Sequence, residues 1–498
     1  MGRKDGGTRR AARYGIRHDR SCLSEGAGKM KHTPNPQVDR IFAQWDKPNS
    51  PGFAVAVSKA GRIVYSRGYG MADLDHNIPI TPATVFHAAS VSKQFTAMAI
   101  MLLVGQKKLK LSDHVHTHVS ELKSAAIPPI PPIPHRSSCT PIKPVTIEQL
   151  LRHTSGIRDQ WVLAGLAGWR LSDDVISRND VVEDLVPRMK ILNFDPGSDY
   201  SYSNTNYTLA GEIVQRVSGV SLAEFCHTHI FKKLGMRSTA IAETHGQIAK
   251  NRAYGYSGNY PAFAMRMPNY DLTGPTSLLT TVEDLMRWNR NFDLMKVGGS
   301  AALKAMQTPV PASKGYGLGL IIGTDDQSRR TVEHDGRDPG HRSHLIRYPD
   351  QKLAVALLGN IQLPPDILTA DLVRSVAAIY LKGSAPAAAT PPSSARPSHP
   401  AFAPASLNDY LGRYHSDEVD NFCDVMRHGS SIAIAHRQCA PALMTAVDRD
   451  VFEMANFSVM LASANVTFRR TDGKVDGFFI DDATGDDRLR KFWFAKVA

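Results

Sequence analysis

One stretch divides this chain before any motif is considered. Residues 384–405 open as Ser384-Ala-Pro-Ala-Ala-Ala-Thr-Pro-Pro-Ser-Ser-Ala-Arg-Pro-Ser-His-Pro400. Proline at this density removes backbone donors and blocks helix, while alanine and serine offer little to bury, so the segment reads as an interdomain linker. The sequence has a different rhythm on its two sides. Beyond it, Tyr410-Leu-Gly-Arg-Tyr414 opens a run of short alternating segments at 431–435, 451–454, 466–469 and 477–480. Turn signals such as Asp472-Gly473 separate them, which predicts a small all-β barrel over 406–498 with no catalytic constellation in it. Ahead of the linker, residues 33–383 mix helical and strand patterns. Residues 1–32 form a basic leader.

Within 33–383 the most informative residues are Ser90 and Lys93, in His87-Ala-Ala-Ser90-Val-Ser-Lys93-Gln-Phe-Thr-Ala-Met. Val91, Phe95, Met98, Leu102 and Leu103 follow helical spacing, predicting an amphipathic helix over 90–103. Residues three apart share a helix face, so hydroxyl and amine can meet. Serine is a poor nucleophile until a neighbour takes its proton, and lysine can do so only when burial or nearby positive charge keeps it neutral. The pattern alone is weak, and Ser120-Glu-Leu-Lys123 repeats it. That second copy follows a polar run and precedes a proline-rich loop, where a capped turn with a solvated lysine is the plainer reading.

Two later motifs separate the copies. Tyr202-Ser203-Asn204 follows a turn marked by Pro196-Gly197 and leads into a helix running from after Asn206 through Val217. A phenol there can relay a proton, and a carboxamide can hold a substrate amide. His334-Asp335-Gly336 lies in a strand, turn, strand pattern, where a histidine can bind an anionic group or tune the relay.

In this order the three motifs resemble the serine β-lactamase and penicillin-binding-protein superfamily, which takes in class C β-lactamases, DD-peptidases, D-aminopeptidases and family VIII carboxylesterases. Gly52-Phe-Ala-Val-Ala-Val57, Thr146-Ile-Glu-Gln-Leu-Leu-Arg-His153-Thr-Ser-Gly156, Leu279-Thr-Thr-Val-Glu-Asp-Leu285 and Leu353-Ala-Val-Ala-Leu-Leu-Gly-Asn360 are similar to further family phrases. The resemblance covers roughly 35–383. It implies an α/β (α+β) fold: an antiparallel sheet from the chain's two ends (52–70 and 316–360) flanked by helices, a helical subdomain over about 110–270, and an active site between them. The segment after the linker resembles the lipocalin-like barrel attached to many such hydrolases.

The resemblance makes Ser90 the acylated nucleophile, Lys93 its base or activator and Tyr202 a member of the proton shuttle. Asn204 would orient a substrate amide, Gly336 would keep the strand clear for substrate, and the N–H groups of Ser90 and Arg337 would form the oxyanion hole. His334 stands where class C β-lactamases carry a lysine. Lysine is a permanent cation suited to a substrate carboxylate, whereas histidine is mostly neutral at pH 7 and would mimic lysine only below about 6.5. That departure favours small carboxylic esters, with weak β-lactamase activity. The alternatives are a β-lactamase proper, a D-aminopeptidase or a D-alanyl-D-alanine carboxypeptidase; more remotely, a catalytically silent penicillin-binding or sensor protein.

The net charge of +12 does not point to a nucleic-acid partner. Half of it sits in residues 1–32, where nine Lys/Arg face three Asp/Glu. The leader reads as a disordered arm or as upstream sequence ahead of an alternative start at Met30. No apolar stretch of signal-peptide length follows either methionine, and no run approaches a membrane span, so a cytoplasmic enzyme acting on a small ester, amide or β-lactam is expected. Five scattered cysteines suit a reducing compartment, and Cys423 and Cys439 are expected to stay unpaired. Asp113-His114-Val-His116-Thr-His118 would place three imidazoles on one face if it were a strand. With no matching downstream ligand set, neither metal nor cofactor is expected. Ile127-Pro-Pro-Ile-Pro-Pro-Ile-Pro134 reads as a polyproline insertion at the surface.

Overall fold

The computed structural model describes residues 34–122, 144–170, 173–364, 367–381, 406–437, 439–458, 461–483 and 488–497. The basic leader, nearly all of the proline-rich insertion and the linker lie outside these residues.

The first strand explains the sheet. In β1 (Phe53–Lys59) the side chains alternate by size as well as by face. Ala54 and Ala56 belong to the core beneath the helical half, while Phe53, Val55 and Val57 face the terminal helices. The strand Leu353–Gly359 repeats the device, with Ala354 and Ala356 on one side and Leu353, Val355 and Leu357 on the other. Small residues let the helix Val282–Leu294 lie close against both strands. Larger ones fill the space under the helices Pro36–Phe42 and Thr369–Tyr380. Covered on both faces, these strands read as continuous apolar runs instead of alternating ones.

The remaining strands are β2 (Arg62–Tyr69), β3 (Ile321–Thr324), β4 (Arg330–Asp338) and β5 (His341–Tyr348), with Leu353–Gly359 as β6. All neighbours are antiparallel, in the order β3-β4-β5-β6-β1-β2. The sheet therefore joins the two ends of the segment ahead of the linker, as its sequence predicts. β3 pairs only with residues 330–333, which leaves the edge of β4 from His334 onward uncovered by a strand. The helical half fills the sequence between β2 and β3.

Helix α1 (Lys93–Gly105) departs from expectation. It is preceded by a 3-10 turn, Ala89–Ser92, and its residues from Lys93 to Met101 are all buried. It is buried on every side over that stretch instead of amphipathic, with its polar members satisfied internally. Gln94 accepts from Trp288 Nε1 at 2.7 Å, and Thr96 donates to the carbonyl of Gly274 at 2.8 Å. Helix α2 (Asn204–Ser218) begins three residues earlier than its sequence suggests and stops at Gly219, whose φ is +81°. His114, His116 and His118 fall in and around a 3-10 turn, Val115–Thr117, not a strand.

Beyond the linker, eight strands from Gly412–Ser416 to Phe492–Lys496 close into a barrel, each pairing with the next and the last with the first. Tyr410, Tyr414, Phe452, Phe468, Phe478 and Phe494 are buried together in its interior, so this small barrel is a packed core. Cys423 and Cys439 are free thiols. Among the described residues no helix is long and apolar enough to cross a membrane.

Candidate active site

Ser90 sits on the 3-10 turn that feeds α1, partly exposed, directly after Ala89, whose φ is +45°. Ser92 ties the turn down: its hydroxyl donates to the Ala89 carbonyl at 2.6 Å and accepts from Leu278 N–H at 3.0 Å. Gly336 on β4 explains how the sheet comes so near. A Cβ there would lie 2.3 Å from Ser343 Oγ and 2.8 Å from the Ala88 carbonyl. The glycine clears space for the turn that carries Ser90; the sequence reading assigns it a clearance for substrate.

Lys93 is wholly buried. Its Nζ donates to Ser90 Oγ at 3.0 Å, Asn204 Oδ1 at 2.8 Å and the Pro275 carbonyl at 2.9 Å. Burial pushes its pKa down to about 7, and Asp338 is the foremost charge opposing that fall. The ammonium carries three hydrogens and has three partners. The neutral amine carries two hydrogens and a lone pair. Asn204 Oδ1 and the Pro275 carbonyl can only accept, so they hold the two hydrogens and the lone pair is left for Ser90.

Asn204 is itself clamped. Asp159 Oδ2 accepts from its backbone N–H at 2.6 Å and from its Nδ2 at 2.8 Å, which fixes the amide so that Oδ1 faces Lys93. The other Asp159 oxygen caps the helix Gln160–Leu166 through Trp161 and Val162. Asn204 thus holds Lys93 through its amide oxygen; the sequence reading has it orienting a substrate amide.

The Tyr202 hydroxyl faces Ser90. Burial pushes its pKa well above 10, although Ser90 acts to lower it, so it stays a phenol. Its ring lies 4.3 Å from that of His153, and Lys93 Nζ is 4.8 Å from its centroid. His153 Nδ1 accepts from Ser203 N–H at 3.1 Å, which holds the Tyr-Ser-Asn loop, and burial keeps this histidine neutral.

His334 is buried and fully engaged. Its Nδ1 donates to the Asp335 carbonyl at 2.6 Å, and its Nε2 accepts from Tyr316 at 2.8 Å. Burial holds its pKa near 4, so the protonation anticipated near 6.5 falls at much lower pH. Behind it, Asp338 accepts from Thr276 at 2.5 Å and from Tyr270, and burial raises its pKa to about 6. Arg337 exposes its side chain, 3.8 Å from Asp335. Asp159, Pro275, Tyr316 and Asp338 were missed in the sequence because they lie outside the three motifs. Asp159 alone had a signal, three residues after the quoted Gly156.

A buried, neutralisable lysine touching a partly exposed serine, with an un-ionised tyrosine beside it, is a set of groups that can move a proton from the hydroxyl to the amine. Residues 38–378 match the profile of the family described as Beta-lactamase, more than half of the chain, and the protein belongs to that family. The sequence is 29% identical over 329 residues to a D-aminopeptidase of Gluconobacter oxydans, covering 65% of this chain but 58% of that protein. It is 27% identical over 350 residues to penicillin-binding protein 4* of Bacillus subtilis, covering 66% and 73%. The fold matches the octameric penicillin-binding protein homologue from Pyrococcus abyssi with a TM-score of 0.58 at 23% identity, across 92% of this chain and 98% of that one.

Proposed function

We propose that this enzyme works through an acyl-enzyme on Ser90 and that its substrates are small amides or peptides containing a D-residue. The observation that carries the mechanism is the Lys93 environment: two obligate acceptors take its hydrogens and leave its lone pair toward Ser90. Ser90 Oγ attacks the carbonyl carbon while its proton passes to Lys93. The oxyanion is received by the backbone N–H groups of Ser90 and of Arg337, on the edge of β4 that β3 leaves open. Tyr202, un-ionised and facing Ser90, gives its proton to the leaving nitrogen and recovers one from Lys93. Water then repeats the sequence in reverse and releases the acid.

The amide reading is supported by similarity to a D-aminopeptidase and a penicillin-binding protein. Short carboxylic esters are the second reading, favoured by a neutral, latched His334 that supplies no cation. A panel of p-nitrophenyl esters, nitrocefin, D-alanine p-nitroanilide and a D-Ala-D-Ala peptide tests both. The anilide and the peptide are expected to lead; esters alone being turned over would replace the amide reading with the ester one. Covalent labelling by a fluorophosphonate, lost in Ser90→Ala, separates either from a silent binding protein.

A further inference from the structure

A loop with no regular structure of its own carries the clamp on Lys93. Residues 156–159 lie outside any helix or strand, so side-chain anchors decide where they sit. Two neighbouring anchors face different ways. Asp159 turns toward the site, where its Oδ2 accepts from the backbone N–H and Nδ2 of Asn204, and Asn204 Oδ1 accepts from Lys93 Nζ. Arg158 turns into the seam with the barrel and is wholly buried there. Its Nη1 pairs with Glu418 at 2.6 Å, Nη2 donates to the Arg490 carbonyl at 3.0 Å, and Nε donates to Asn193 Oδ1 at 3.4 Å. Its guanidinium lies 5.1 Å from the Phe492 ring centroid. The Arg158 carbonyl accepts from Ser203 Oγ at 3.3 Å and from Thr205 Oγ1 at 2.7 Å, one residue either side of Asn204.

Glu418 is not placed as an ordinary turn residue. It lies between the barrel strands Gly412–Ser416 and Asn421–His428, in a turn where a carboxylate is normally left in water, yet it is buried. A buried carboxylate is costly unless a partner compensates it, and here the partner belongs to the other domain. The same seam brings the Arg488 guanidinium to 5.4 Å from the Tyr202 ring centroid, so the barrel reaches the site on two sides. Hydrogen bonds thus run from Glu418 to Arg158 and from Asp159 through Asn204 to Lys93, with one peptide link joining the two halves. We propose that Glu418 and Arg158 are positioning residues for the reaction at Ser90: through this pair the barrel holds the loop whose Asp159 sets the Asn204 amide against Lys93. The second domain is then part of the working site and not an appended module. The proposal rests on the acyl-enzyme reading of Ser90 and is indifferent to whether the substrate is an amide or an ester.

The test is a mutant cycle on the full-length protein. It is read as kcat and KM on p-nitrophenyl butyrate and D-alanine p-nitroanilide, and as the rate of fluorophosphonate labelling. Glu418→Ala is expected to lower kcat and the labelling rate about tenfold to a hundredfold, with KM changed less than about threefold, the pattern of a misplaced reacting group. Glu418→Gln, whose amide oxygen can still accept from Arg158 Nη1, should recover most of that loss. In the Asn204→Ala background Glu418→Ala should cost at most about threefold more, because the clamp it supports is already gone. Asn421→Ala removes a different buried seam bond, to the Leu166 carbonyl at 2.9 Å, and should lower the melting temperature while kcat holds. A folded Glu418→Ala protein with wild-type kcat, an equal kcat loss in Asn421→Ala, or losses at 418 and 204 that multiply would each overturn the proposal. If Glu418→Ala does not fold, Arg158→Lys carries the same cycle, keeping the charge but losing the forked bonds to the seam. Turnover and labelling that survive Ser90→Ala would overturn the acyl-enzyme reading, whereas Ser90-dependent turnover indifferent to Glu418 overturns this proposal alone.

Discussion

Tyr316 donates its phenolic hydrogen to His334 Nε2 at 2.8 Å. The opposite nitrogen is committed to the Asp335 carbonyl, so the imidazole is neutral, with its one hydrogen on Nδ1 and its one lone pair used. A histidine latched at both ends cannot stand in for a lysine that binds anions.

His334 therefore should not read substrate charge. The kcat/KM ratio of nitrocefin to p-nitrophenyl butyrate is expected to show no transition assignable to His334 between pH 5.5 and 8, because its pKa lies near 4. His334→Lys would bury another cation beside Lys93 and should lower both activities and the melting temperature. A rise in the nitrocefin ratio on that substitution would mean the residue faces substrate after all.

Lys93 sets the acid side of the pH profile. The base must be neutral, so kcat/KM should rise with pH through about 7 and level off above it. Asp338 is the foremost charge holding the lysine's pKa up, so Asp338→Asn should move this limb to lower pH. Arg488 acts in the opposite sense, and Arg488→Gln should move it higher. The initial-rate pH profiles of the three proteins check all three signs.

In the proposed mechanism Lys93 and Tyr202 act on Ser90 as one proton-transfer unit. Lys93→Ala and Tyr202→Phe should each be severe, and the double variant little worse than the worse single one. Losses that simply multiply in kcat would assign them independent roles.

Asn204→Ala removes one of the two acceptors that hold the neutral amine and the side-chain bond to Asp159, while the backbone N–H bond to Asp159 remains. A fall of about 10²-fold or more in kcat with Ser90 still present is expected, on the scale of a lost catalytic orientation. Undiminished fluorophosphonate labelling rates would show that Lys93 does not need this amide.

Arg158 and Glu418 are a buried ion pair across the domain seam. Arg158→Met leaves Glu418 buried without its partner and should cost about 3–5 kcal/mol, the scale for breaking such a pair. The double change with Glu418→Leu should cost less than the single one. Denaturant unfolding of the full chain measures both. Activity should fall with docking, because the Arg158 carbonyl also braces Ser203 and Thr205 beside the tyrosine loop.

The sequence by itself determined the period and the local chemistry. The alternating runs at 431–435 and 477–480 became barrel strands, the apolar run at 353–359 became a sheet strand, and Ser90 and Lys93 share one turn of chain. These depend on spacings of two to four residues, which a sequence displays directly. Only the tertiary structure decided what surrounds them. Pro275 and Asn204 reach Lys93 from 182 and 111 residues away, and Arg488 arrives from another domain. Whether a lysine is neutral, a histidine latched or an arginine aimed at a tyrosine depends on such distant neighbours, because charge and hydrogen bonding act through space and not along the chain.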